Sequence, residues 1–165
     1  MSNNEKTKRL AISAVLAALT AVMTAYVFHI PTATGYIHFG DSLIYLAACL
    51  LPKPYAMAVG AIGGGVADLL TAPVWTLPTV VVKMLIVLPF SGKSKKIITM
   101  RNVLMTVVAF FISAIGYFIA ETLVFGYEIA FFTSIAGNGL QALGSGVAFV
   151  AFGLALDRLK IKKRI

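Results

Sequence analysis

The charged residues of this chain stand in short clusters separated by long apolar runs, and this arrangement constrains the fold more than any other feature. Only 12% of the 165 residues are charged and 59% are hydrophobic, with a mean hydropathy of +0.92. Soluble domains are about one quarter charged. The composition therefore predicts a membrane protein.

The basic clusters recur along the chain. Every Lys and Arg except Lys83 lies in residues 6–9, at Lys53, in residues 93–101 or in residues 158–164, and the loops between these clusters contain none. Cytoplasmic loops of membrane proteins carry an excess of Lys and Arg. We therefore place the basic loops and both termini in the cytoplasm. The net charge of +8 needs no nucleic-acid surface to explain it.

The apolar segments predict an all-α membrane protein with six transmembrane helices, at residues 8–28, 41–51, 56–70, 79–90, 103–125 and 129–156. About 20 residues are needed to cross the hydrocarbon core. The second segment is shorter, so we expect the preceding loop, residues 29–40, to enter the membrane where protein buries it or a cavity adjoins it. The first segment can span, and no convincing cleavage site follows it, so it is not interpreted as a signal peptide.

Residues 60–83 combine a Gly-rich helix, a Pro-bounded turn with the single Trp, and the beginning of the next helix. The glycines favour close packing between membrane helices. Two ionisable residues, Asp68 and Lys83, lie within these apolar segments. A charge near the bilayer centre costs about 2.5–3.5 kcal/mol on insertion scales, so such residues usually have a function.

Polar side chains from several helices map to the outer half or the middle of this topology, whereas the inner halves hold almost no ionisable group. A proton or ion relay across the bilayer would therefore have too few members, and we predict an outward-facing ligand cavity instead. We take as candidate substrate ligands Tyr36, His38, Asp41, Asp68, Trp75, Lys83, Tyr117, Glu121, Asn138 and Gln141.

Several of these residues also have a purely structural interpretation. Asp68 and Lys83 can form an ion pair that ties two helices together. Asp41 can cap the helix that it begins. Tyr36 and Trp75, like Tyr127, can anchor the chain at the membrane interface. Glu121, Asn138 and Gln141 are harder to explain in this way, because a carboxylate and two amides within apolar helices need partners.

Motifs for catalysis and for metal binding are absent from the sequence. Ser91-Gly-Lys-Ser94 resembles the end of a phosphate-binding loop, but Val87 stands where its first glycine belongs and no strand precedes it. No metalloprotease or serine-hydrolase motif occurs, and the single Cys49 excludes an internal disulfide. We therefore expect no enzyme, no metal and no cofactor.

Several short motifs follow one another in a recognisable order: Ala-x-x-x-Ala at Ala14 and Ala18, Gly-Tyr-Ile-His-Phe-Gly-Asp ending at Asp41, Gly-Gly-Gly-Val-Ala-Asp ending at Asp68, Lys83, Gly-Tyr-Phe-Ile-Ala-Glu ending at Glu121, and Asn-Gly-Leu-Gln ending at Gln141. Their order resembles the S components of energy-coupling factor (ECF) vitamin transporters. The resemblance covers essentially the whole chain as one domain, residues 1–165. It is closest to the branch for pyridoxine, hydroxymethylpyrimidine and α-ribazole.

The resemblance implies a subunit of the bacterial plasma membrane that captures a vitamin from outside. It also implies as partners a transmembrane T subunit and two ATPase subunits, with Ala14 and Ala18 in the docking surface. Several acceptors against a single membrane-embedded lysine suit a neutral or weakly cationic ring compound and disfavour a multiply phosphorylated one. Two other hypotheses remain: a homo-oligomeric carrier driven by an ion gradient, and a structural or assembly factor without a ligand.

Overall fold

The computed structural model describes residues 3–27, 29–31 and 36–163, with their side chains except those of residues 128–129 and 131–136. This part of the chain forms six α-helices: α1 (Asn3–Ala25), α2 (Asp41–Leu50), α3 (Lys53–Thr71), α4 (Thr76–Leu85), α5 (Met100–Phe125) and α6 (Tyr127–Arg158). Short 3-10 helices, Pro73–Trp75 and Ile161–Lys163, precede α4 and follow α6. The all-helical prediction is confirmed, with one short β pair added to it.

That pair lies in the loop before α2, which we predicted to enter the membrane. Strands β1 (Ile30–Pro31) and β2 (Tyr36–Ile37) are antiparallel, with Ile30 opposite Ile37. Ile37 and His38 are buried, so the second half of the loop packs into the protein. Residues 32–35 of this loop lie outside the described residues.

The helices occupy the predicted segments, but local chemistry moves their ends. α3 begins at Lys53 because Pro54 is tolerated in a first turn, where backbone N–H groups lack helical partners anyway. α5 begins at Met100 because the Thr99 side chain accepts a hydrogen bond from the Asn102 N–H. α4 ends at Leu85 and turns follow it, since Pro89 disfavours helical geometry just before it.

Among the described residues, three segments are long and apolar enough to cross a membrane by length and composition: α1, α5 and the part Gly137–Arg158 of α6. α2 and the stretch Pro73–Leu85 are shorter apolar helices. The 10 residues of α2 extend only about 15 Å at 1.5 Å per residue, as expected for a helix that needs a buried loop above it.

α3 packs against both α1 and α4, and its glycines make the close approach to each possible. A Cβ at Gly63 would lie 2.9 Å from the Ala17 carbonyl oxygen of α1. A Cβ at Gly60 would lie 2.6 Å from the Lys83 carbonyl oxygen of α4. The predicted role of these glycines in helix packing is therefore confirmed.

Below the polar residues the core is apolar and aromatic. The rings of Tyr45 and Phe90 stack with centroids 4.8 Å apart, and Phe149 meets them edge-on at 5.9 and 5.8 Å. All three side chains are at most 1% exposed. This cluster joins α2, α6 and the segment after α4.

The end of the molecule where α3 begins and α6 ends is held by polar contacts to the backbone. We call it the basic end. The Lys53 ammonium donates to the carbonyl oxygens of Val87, Leu88 and Phe90 at 2.6, 2.9 and 2.6 Å. The Asp157 carboxylate accepts from the N–H groups of Ile97 and Ile98 at 2.7 and 3.0 Å. These contacts fix the segment between α4 and α5.

We expect Gly60→Ala to destabilise the protein by about 1–3 kcal/mol, because the added methyl group must push α3 away from the Lys83 carbonyl. The control is Gly137→Ala, where a Cβ would meet no atom of the described residues within 4 Å and the higher helix propensity of Ala adds up to about 1 kcal/mol. Thermal unfolding of the detergent-solubilised protein measures both. Equal melting temperatures for the two variants would contradict the close α3–α4 packing.

Candidate functional site

A buried ion pair joins three helices in the polar half of the molecule. The Lys83 ammonium of α4 lies 2.6 Å from one carboxylate oxygen of Asp41 at the beginning of α2. The side-chain amide of Gln141 on α6 donates to the other oxygen at 3.1 Å. Asp41 is 2% exposed and Lys83 1%. Each charge removes the large cost that the other would have alone in an apolar core.

This pairing corrects two structural interpretations drawn from the sequence. The partner of Lys83 is Asp41, whereas the suggested ion pair with Asp68 is wrong. Asp41 does not act as a cap either: Gly40 is the N-cap residue of α2 and no side-chain hydrogen bond caps it. The physical reason is the same for both, because the Asp41 carboxylate points across to α4 and α6 instead of back along its own helix.

Asp68, in the last turns of α3, is bound by the loop between α1 and α2. The Tyr36 hydroxyl of β2 donates a hydrogen bond to the Asp68 carboxylate, which is buried. The Tyr36 ring stacks on His29 with centroids 4.1 Å apart and lies 5.6 Å from the ring of His38. One hydroxyl thus connects this loop to α3.

His38 is buried beside the beginning of α2. Its Nδ1 accepts a hydrogen bond from the Gly40 N–H at 3.0 Å, and the Thr24 hydroxyl of α1 lies 3.4 Å from the same nitrogen. Because Nδ1 is an acceptor, the proton of the neutral ring is on Nε2. The charges of Asp68 and Lys83 also act on each other, although the two residues do not form an ion pair.

An aromatic wall adjoins the ion pair. The Lys83 ammonium lies over the Tyr117 ring, 5.5 Å from its centroid, within the range of a cation–π contact. The Tyr117 hydroxyl is 2.8 Å from the hydroxyl of Thr79 on α4. Trp75 meets the Tyr117 ring edge-on at 6.3 Å and lies 5.8 Å from that of Phe125. Trp75 is buried among these side chains, so its interpretation as an interface anchor is wrong.

The remaining two candidates lie one helical turn from this group. Glu121 is buried and follows Tyr117 by four residues on α5. Asn138 is half-buried and precedes Gln141 by three residues on α6. At these spacings side chains share a helix face. Eight of the ten candidates thus contact at least one other candidate, and Glu121 and Asn138 share helix faces with two of these eight.

Sequence reasoning missed some polar residues of this half. Thr79 could have been found, because it precedes Lys83 by four residues and so shares its helix face. Thr24 carries no comparable signal, since its contact with His38 depends on the fold of the intervening loop. The hydroxyls of Ser113 and Ser145, which precede Tyr117 and follow Gln141 by four residues and so share their helix faces, are buried without a hydrogen-bond partner among the described residues.

Within the described residues, no group of three or more His, Cys, Asp or Glu side chains is placed to hold a metal ion. On the outside of the bundle, the predicted docking residues Ala14 and Ala18 are exposed. They line a groove of about 420 Å³ between α1 and α3, together with Ala17, Ala21 and Ile62. Its lining is almost entirely apolar.

Two comparisons with known proteins bear on this arrangement. The family described as "ECF-type riboflavin transporter, S component" matches residues 4–158. Over 54 residues the chain is 39% identical to a protein of Pyrococcus woesei described as an uncharacterized protein in gap 3′ region. That match covers 33% of this chain and 36% of the relative, so the chain spans about one third of the relative's length.

The family match extends over nearly the whole chain and agrees with the apolar helices and with the absence of catalytic motifs from the sequence. ECF S components are membrane-embedded transporter subunits, not enzymes. They bind a vitamin-like substrate and work with a T subunit and ATPase modules in vitamin uptake. The chain belongs to the family of ECF-type riboflavin transporter S components.

Proposed function

We propose that this protein is the substrate-capturing subunit of an ATP-driven ECF transporter in a bacterial plasma membrane, and that its ligand is a small heterocyclic vitamin or vitamin precursor. The observation that carries the proposal is the buried group around the Asp41–Lys83 pair, where polar side chains from α2, α4 and α6 meet beside aromatic rings. Residues 1–165 form one domain in this proposal, and Ala14 and Ala18 contact the T subunit.

The proposed topology has six membrane-spanning helices, both termini in the cytoplasm and the ligand site facing outward. Basic side chains support it. Lys53, Lys93 and Arg101 lie together at the basic end, whereas Asp68 and Trp75 belong to the opposite end of α3 and the turn after it. Since cytoplasmic loops are the basic ones, the polar group comes to lie toward the outside.

The electrostatics favour a neutral or weakly cationic ligand. The single lysine of the polar half, Lys83, is already neutralised by Asp41. The ten candidate substrate-binding residues therefore include no uncompensated lysine or arginine that could bind a phosphate group. Asp68 and Glu121 are acceptors for hydroxyl or ring N–H donors, and Trp75 and Tyr117 suit the face or edge of a flat ring. Pyridoxine and hydroxymethylpyrimidine fit this description best, with α-ribazole next. Riboflavin is included because the family description names it.

Ligand binding tests this proposal directly. We expect mass spectrometry of the purified protein to detect a co-purified ring compound, and titration calorimetry to rank pyridoxine, hydroxymethylpyrimidine, α-ribazole and riboflavin. Glu121→Ala and Asn138→Ala should each weaken binding of the best ligand at least tenfold. A hydrogen bond to the Glu121 carboxylate is worth about 1.5–3 kcal/mol, and a buried ligand group left without its Asn138 partner costs about 1–3 kcal/mol.

Two variants on the same helices serve as controls. Leu123→Ala on α5 and Leu140→Ala on α6 remove side chains that are 82% and 56% exposed, so ligand affinity should stay at the wild-type value. If Glu121→Ala and Asn138→Ala also bind like the wild type, the ligand does not occupy this site.

Whether the ion pair itself contacts the ligand is decided by a double variant. Lys83→Met leaves the Asp41 carboxylate buried without a counter-charge and should cost about 3–5 kcal/mol of stability. Asp41→Leu combined with Lys83→Met removes both charges and should recover most of that loss, as thermal unfolding will show. A single variant as stable as the wild type would contradict the pairing.

Ligand titration of the same double variant then separates the two roles of the pair. Our proposal places both residues in the site, so a stable double variant should have lost at least tenfold in affinity. Wild-type affinity in the double variant would assign Asp41 and Lys83 to structure alone.

The docking surface calls for a different experiment. Ala14→Trp fills the α1–α3 groove, so we expect unchanged ligand binding in detergent but loss of uptake by cells that express the complete transporter. Val15→Trp is the control, because Val15 is 59% exposed on α1 but does not line the groove. Normal uptake by the Ala14→Trp variant would exclude this groove as the docking surface.

A further inference from the structure

A second polar feature lies at the basic end, far from the candidate ligand site. It is a cleft of about 830 Å³ between α1, the end of α2 with the beginning of α3, and the segment between α4 and α5 with the first turn of α5. Four basic residues line it: Arg9, Lys53, Lys93 and Arg101. No carboxylate is among the described residues of its lining. The cleft is therefore strongly positive.

Two of these basic side chains are fixed by the protein backbone. Lys53 uses its three donors on the carbonyls of Val87, Leu88 and Phe90, and one Arg101 nitrogen donates to the Pro89 carbonyl at 2.9 Å. Carbonyl groups satisfy these hydrogen bonds without cancelling the charges. Arg101 keeps further guanidinium N–H groups, whose planar arrangement matches phosphate oxygens.

The other wall of the cleft is apolar. It consists of side chains from the end of α2 and from the turns after α4, namely Ala48, Leu50, Leu51, Pro52, Leu88 and Phe90. The loop residue Gly92 lies against the end of α2, where a Cβ would be 3.1 Å from the Cys49 carbonyl oxygen. Positive charge on one side and apolar surface on the other match a phosphate group with a hydrocarbon part attached.

We propose that this cleft binds the phosphate group of an anionic phospholipid, whose glycerol and first acyl carbons lie on the apolar wall. Basic pockets between membrane helices on the cytoplasmic side bind such headgroups. The proposal depends on the topology proposed above only for the leaflet, which is then the cytoplasmic one. A bound lipid would hold the beginning of α1 to the segment between α4 and α5, two parts of the chain that otherwise carry like charges.

Lipid retention tests the proposal on the full-length protein. The variant Arg9→Gln/Lys93→Gln removes two cleft charges and leaves Lys53 and Arg101, which hold the backbone, in place. The control Lys95→Gln/Lys96→Gln removes two exposed charges from the same loop, outside the cleft. Lipid retention is measured by native mass spectrometry and stability by thermal unfolding. Each protein is measured with phosphatidylglycerol, with phosphatidylcholine of identical acyl chains, and with inorganic phosphate.

We expect wild type and control to retain phosphatidylglycerol over phosphatidylcholine. The cleft variant should bind phosphatidylglycerol at least tenfold more weakly, since each basic residue near an anionic surface contributes about fivefold. Equal losses in the cleft variant and the control would overturn the proposal in favour of diffuse surface charge. If millimolar inorganic phosphate raises the melting temperature and phosphatidylglycerol does not, the cleft binds free phosphate and the lipid proposal is overturned. Undiminished lipid retention by the cleft variant would also overturn the lipid proposal, and an acidic protein segment would then be the better occupant of the cleft.

Vitamin binding, measured in the same preparations, keeps this test separate from the proposed function. Both double variants should bind the vitamin like the wild type, which also shows that they are folded. If no preparation binds a vitamin, including the wild type, the proposed function fails while the lipid result still stands. If the cleft variant fails to fold, Lys93→Gln alone, compared with Lys95→Gln, provides the same contrast with an expected fivefold effect per charge.

Discussion

The buried pair of Asp41 and Lys83 is the interaction on which the rest of the polar half depends. Neither charge is tolerable alone among apolar helices, so α2 and α4 must bring them together. Lys83 reaches Asp41 because α3 presents glycines to α4: a Cβ at Gly64 would lie 3.0 Å from the Lys83 Cγ. The Gly-rich helix α3 thus helps to determine where the pair forms, although neither Asp41 nor Lys83 belongs to it.

The two halves of the core are held in different ways. Toward the basic end, Tyr45, Phe90 and Phe149 pack ring against ring and expose almost nothing, as in the close-packed interior of any stable protein. In the polar half, directed bonds between single atoms connect the helices, and the Tyr36 hydroxyl ties the loop to Asp68. Directed bonds specify positions more sharply than apolar contacts do, which suits the half in which we propose the ligand site.

Much of this fold follows from the sequence, because a membrane forces apolar runs into helices and basic residues into loops. The identities of the polar residues follow as well, since a charge in lipid is too costly to be without a partner. Their pairing does not follow. Asp68 is closer to Lys83 in sequence than Asp41 is, but the choice between them depends on how α2 packs against α4. The backbone contacts of Lys53 and Asp157 were not predicted either. In a sequence, a charged residue beside a loop is interpreted as solvent-exposed, because its carbonyl or amide partners depend on the fold.

Charged side chains are paired in opposite ways at the two ends of the molecule, and the difference connects the proposed topology with the proposed ligand. In the polar half, Asp41 neutralises the charge of Lys83, and Asp68 accepts a hydrogen bond from the Tyr36 hydroxyl. The candidate substrate-binding residues as a group therefore present dipoles and acceptors instead of net positive charge. At the basic end, neutral carbonyls satisfy Lys53 and Arg101 and leave both charges in place. The positive-inside rule counts the Lys and Arg residues of cytoplasmic loops, so both residues belong to the basic clusters that support the proposed topology. Cations thus occur in two settings in this chain: Lys53 and Arg101 keep their charges beside backbone carbonyls, whereas Lys83 forms a neutral pair with Asp41 between apolar helices.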